Sequence, residues 1–94
     1  MSERVLLIDD DANLLSGLQR QLRKHYDLST AEGGPAALEQ VKKANAEGDP
    51  FAVALSDMRM PGMDGIETLS KIRQLCPDTV RMMLTGNADQ QTCI

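Results

Sequence analysis

The chain has 94 residues, 41% of them apolar, with a net charge of −4. That length fits one small domain with one hydrophobic core, which excludes a multidomain enzyme, and the apolar share excludes a disordered chain. Only Tyr26 and Phe51 are aromatic and acidic residues outnumber basic ones, so no stacking platform or basic surface for nucleic acid can be built here.

The first apolar run, Val5-Leu6-Leu7-Ile8, is far too short for a membrane span or a signal-peptide core, and the chain is expected to be cytoplasmic. Uniformly apolar, it predicts a parallel strand covered on both faces. Leu14, Leu15, Leu18 and Leu22 then recur at helical spacing and predict a helix over 12–24. A weaker strand follows over 26–31. Gly33-Gly34-Pro35 sets proline at a helix start, and Leu38, Val41 and Ala44 form the buried stripe of a helix ending near Ala46. Gly48-Asp49-Pro50 ends it, and 51–56 is the third strand.

Asp64-Gly65-Ile66-Glu67 has the form of a capping box, with Asp64 as N-cap. Ile66, Leu69, Ile72 and Leu75 supply the inward face of the helix it opens, which Pro77 closes. A fourth strand is predicted over 79–84, and 87–94 reads as a helix cut off in its second turn. The order is βαβαβαβ and the start of a helix. Right-handed crossovers then give an open parallel α/β sheet with helices on both faces, whose ligands bind beyond the carboxyl ends of the strands.

At those ends stand Asp9, Asp10 and Asp11 after the first strand, Asp57 after the third, and Thr85 and Gly86 after the fourth. Strands one, three and four, if adjacent, bring these groups within about 10 Å of one another. Removing Asp9, Asp10 and Asp57 alone would take the net charge from −4 to −1. Clustered carboxylates repel unless a cation joins them, and an all-oxygen set favours Mg²⁺ (or Mn²⁺). Asp11 reads as the N-cap of the first helix. Cys76 and Cys93 lack a metal-binding spacing and His25 stands alone, so zinc is not expected. Asp9-x-Asp11-x-Asn13 opens like a calcium loop, but Leu14 and Arg20 stand where glycine and glutamate are needed.

VLLIDDD (5–11), SDMRMPGMDG (56–65) and MLTG (83–86) resemble the receiver domain of two-component response regulators, in register over the whole chain. The resemblance implies a flavodoxin-like sheet of order 2-1-3-4. It makes Asp57 the phosphoacceptor and a metal ligand, Asp9 and Asp10 the acidic pair that holds Mg²⁺, Arg59 a metal ligand through its backbone carbonyl, and Thr85 the switching hydroxyl. Met60-Pro61-Gly62 resembles the loop that supports the acceptor. The implied partner is a sensor histidine kinase or a phosphotransfer protein, and the chain is expected to be a signalling module, not an enzyme acting on a separate substrate. Receivers end with a fifth strand, which carries a lysine, and a final helix. By that resemblance residues 1–94 are a receiver without its last strand and helix, since Lys24, Lys42, Lys43 and Lys71 all read as helix-surface residues. An output domain is expected beyond Ile94; 81–94 most resembles receivers attached to HD-type phosphohydrolase or transcription-activator outputs. An open edge on the fourth strand, beside Val80, Met82, Met83 and Leu84, predicts self-association.

Two other readings compete. Asp9-x-Asp11 after an apolar strand also resembles haloacid-dehalogenase-type phosphatases, with Asp9 as nucleophile, though Asn13 departs from that pattern. A receiver-like scaffold that is never phosphorylated, and acts by pairing, is the third.

Overall fold

The computed structural model describes residues 4–58, 62–84 and 91–93. In chain order these form β1 (Arg4–Ile8), α1 (Ala12–Leu22), β2 (Asp27–Ala31), α2 (Gly34–Ala46), β3 (Val53–Asp57), α3 (Gly65–Leu75), β4 (Val80–Leu84) and β5 (Gln91–Cys93). The sheet order is β2-β1-β3-β4-β5. Its first four strands are parallel, in the flavodoxin-like 2-1-3-4 arrangement expected.

Alternate strand residues serve opposite faces, because successive side chains leave a strand on opposite sides. Leu6, Ile8, Ala31, Ala54 and Met83 form one core with Ala37, Val41 and Ala44 of α2 and Leu69 and Ile72 of α3. Leu7 and Leu28 meet Leu15 of α1 on the other face, with Val5, Leu18, Leu22 and Leu55 half-buried around them. The two-sided burial is why β1 is apolar from Val5 to Ile8.

The helices start where the capping chemistry puts them. Asp11 Oδ1 accepts from the N–H groups of Asn13 (3.0 Å) and Leu14 (3.2 Å) at the start of α1, and Asp64 Oδ1 accepts from Glu67 N–H (2.8 Å) at the start of α3. At the opposite end of the sheet Arg4 is a tie. Its guanidinium donates to Asp49 O at 2.8 Å, lies within ion-pair reach of Asp27 and Asp49 and stacks 4.5 Å from the centre of the Phe51 ring. Thr79, buried just before β4, donates to Phe51 O at 2.7 Å.

Several expectations need correction. Helix α1 stops at Leu22 rather than at residue 24. Leu14, Ile66 and Leu75, assigned to inward stripes, are exposed, while Met83, expected at an open edge, is 3% exposed. Residues 91–93 form a strand antiparallel to β4, pairing Met82 with Cys93 and Leu84 with Gln91, not part of a helix; residues 87–90 and Ile94 lie outside the described residues. The connection between β4 and β5 is too short for a parallel crossover, which takes about a dozen residues or more, so the chain returns antiparallel and pairs with Met82–Leu84 of β4. That part of the edge on which self-association was predicted is therefore covered, while Val80 stays exposed.

Candidate functional site

In this strand order the chain reverses direction across the sheet between β1 and β3, and a crevice opens at the carboxyl ends of those two strands. Ile8 pairs with Ser56, so Asp9 and Asp57 each stand one residue beyond the last shared rung. Neighbouring strands are about 4.8 Å apart. Carboxylate oxygens of Asp9, Asp10 and Asp57 all lie within 4.8 Å of one another, which brings together the three acidic residues singled out in the sequence. Asp57 in turn faces Leu84 of β4. Thr85, Gly86, Arg59, Met60 and Pro61 lie outside the described residues.

Local hydrogen bonds hold the cluster's shape. Asp9 Oδ1 accepts from Asp11 N–H at 2.9 Å, fixing the carboxylate against the turn into α1, while Asp9 N–H donates to Ala31 O at 3.1 Å. Partial burial pushes the Asp9 carboxyl above its ordinary value of 3.8; the bond from Asp11 opposes that rise, and a hydrogen bond with Asp10 and the charges of Asp57 and Asp10 add to it. Asp10 is exposed and Asp57 half-buried. Three carboxylates converging with no basic partner among the described residues are the donor set of a hard divalent cation, and these residues fit Mg²⁺ or Mn²⁺.

Sequence reasoning missed the residue that seats α3 against Asp57. Gly65 N–H donates to Met58 O at 3.0 Å, and a Cβ at Gly65 would lie 2.5 Å from Asp57 O and 2.9 Å from Met58 Cα. Only glycine lets the helix approach the backbone of β3 this closely. The signal was present as Asp64-Gly65 before a helical pattern, but it was read for its cap alone. Gly34 plays the same part between helices: a Cβ there would meet Met63 Sδ and Thr68 Oγ1 at 2.6 Å.

A doubly wound α/β domain with oxygen donors gathered at the β1/β3 switch point is the class that this fold and site define. Comparison with known proteins gives the family: residues 5–94 match the response regulator receiver domain, and the chain belongs to it. The transcriptional regulatory protein ZraR of Escherichia coli K12 is 35% identical over 91 residues, 96% of this chain but 20% of that protein. A Rhodopirellula baltica structure described as an adenylate cyclase superposes with a TM-score of 0.85 at 48% identity, over 95% of this chain and 63% of that one. The response regulator TrrA of Thermotoga maritima, solved in complex with Mg²⁺ and beryllofluoride, gives 0.75 at 28% identity, over 93% and 72% of the two chains. The chain thus spans about a fifth of the length of the first curated relatives it matches. Among the described residues no helix is long and apolar enough to cross a membrane.

Proposed function

We propose that this receiver takes a phosphoryl group from a phosphohistidine, on a sensor histidine kinase or a phosphotransfer protein, onto Asp57. The observation that carries this reading is the convergence of the Asp9, Asp10 and Asp57 carboxylates at the ends of β1 and β3. An Asp57 carboxylate oxygen forms a bond to phosphorus as the P–N bond breaks, its electron pair returning to the imidazole. Asp9, Asp10 and Asp57, with the Arg59 carbonyl, would hold Mg²⁺ or Mn²⁺. When bound, the ion supplies positive charge that offsets the repulsion between a carboxylate and an anionic phosphoryl group.

The residues around the cluster suit that task. Asp11 orients Asp9 through its backbone and caps α1 with its own side chain. Gly65 keeps α3 against the acceptor strand. Exposed Leu14, Met58 and Ile66 lie close in sequence to Asp10, Asp57 and the start of α3, and would give an incoming donor protein apolar footing. Thr85, directly after the β4 residue that faces Asp57, is the hydroxyl that would bond the phosphoryl group and move the end of β4. Relatives of several times this length carry the same domain in transcriptional regulators, which supports an attached output module as the recipient of the signal. Membership of the receiver family over residues 5–94 favours the receiver over the phosphatase reading.

Fluorine NMR of the chain with Mg²⁺ and beryllofluoride tests this. A bound resonance is expected for the parent and for Thr85→Ala, and none for Asp57→Asn; a bound resonance that survives Asp57→Asn and disappears in Asp9→Asn would favour the phosphatase chemistry.

A further inference from the structure

Strand β2 is the outermost strand on its side of the sheet. Asp9 N–H bonds to Ala31 O, and in a parallel ladder the bonded residues alternate, so Asp27, Ser29 and Ala31 turn their polar groups toward β1. Leu28 and Thr30 therefore turn theirs outward, along the free edge. Both outward carbonyls are occupied. Gln19 of α1 donates its side-chain amide to Leu28 O at 3.4 Å, and Gln40 of α2 donates to Thr30 O at 2.5 Å. The two helices lie on opposite faces of the sheet, so the edge is gripped from both sides.

The strand itself has few of the usual defences of an exposed edge. Its one charged residue is Asp27 at its start, within ion-pair reach of Arg4, and it contains no lysine, arginine or proline, residues that ordinarily discourage strand addition. We propose that Gln19 and Gln40 act together as guards of this edge, and that removing them exposes it to β2 of a second copy of this chain. Two identical edges meet across a twofold axis as antiparallel strands, which frees the Leu28 and Thr30 carbonyls to accept from the partner's outward N–H groups.

Gln19→Met and Gln40→Met keep the stem of each side chain and delete the donor. Sedimentation equilibrium of the double variant, with far-ultraviolet circular dichroism to verify folding, should show self-association strengthened about tenfold or more over the parent chain, the effect of roughly one net hydrogen bond per copy. Adding Thr30→Lys, which places like charges on the paired strands, should return association to the parent value. A folded double variant that sediments like the parent would overturn the proposal, as would association that persists with Thr30→Lys. If the double variant does not fold, Gln40→Met, which deletes the shorter bond, is read against the same two outcomes.

Discussion

Asp9 carries a cost that the fold tolerates. Its carboxyl is raised above 3.8, first by burial and then by its acidic neighbours, so the stabilising form is the protonated one. That contribution is fully present below 3.8 and is lost as pH rises through the raised folded value. Asp9→Asn, whose side-chain oxygen can still accept from Asp11 N–H, is therefore expected to stabilise the metal-free protein at neutral pH and to give no gain below 3.8. Solvent screening keeps the gain on the order of a few tenths of a kcal/mol; paired thermal melts in chelator at pH 7 and pH 3.5 check it. Arg4 works in the opposite sense. Arg4→Ala removes the bond to Asp49 O and the stacking on Phe51, and chemical denaturation should register a loss of about 1–2 kcal/mol. The acidic residues were legible because three carboxylates at strand ends have few structural explanations. Arg4 was not, since its partners Asp27, Asp49 and Phe51 come together only through the fold.

At the scale of elements, the start of α3 is where packing bears most directly on the site. Because a Cβ at Gly65 would meet backbone on both Asp57 and Met58, Gly65→Ala cannot be absorbed by a side-chain rotation. It should cost about 1–3 kcal/mol by denaturant unfolding and should weaken metal binding by displacing Asp57; a variant of parental stability and affinity would show that α3 does not position Asp57. Parallel strands and capped helices were readable from apolar runs and from Asp11 and Asp64, which carry their own local chemistry. Helix stripes were less so: Leu14 and Ile66 share the helical period of their buried neighbours, yet each sits in the first turn of its helix and is exposed. The strand at 91–93 was misread because a few residues fit one helical turn as well as a strand, and only the unsatisfied edge of β4 decides between them.

For the whole molecule, the sheet order turns separate stretches of sequence into one site. Binding to the folded state alone raises stability by mass action, by about 2.7 kcal/mol at a hundred times the dissociation constant. Mg²⁺ should accordingly raise the melting temperature of the parent chain, and do so much less for Asp10→Asn or Asp57→Asn; an equal rise in all three would place the ion elsewhere. Phosphorylation is the more direct question. The parent chain and Asp57→Asn, each incubated with phosphoramidate and Mg²⁺, can be compared by intact mass and by tandem mass spectrometry of their peptides. One phosphoryl group on the peptide containing Asp57, absent from the Asp57→Asn chain, is the result predicted here; a phosphoryl group on Asp9, or equal labelling of both chains, would contradict it.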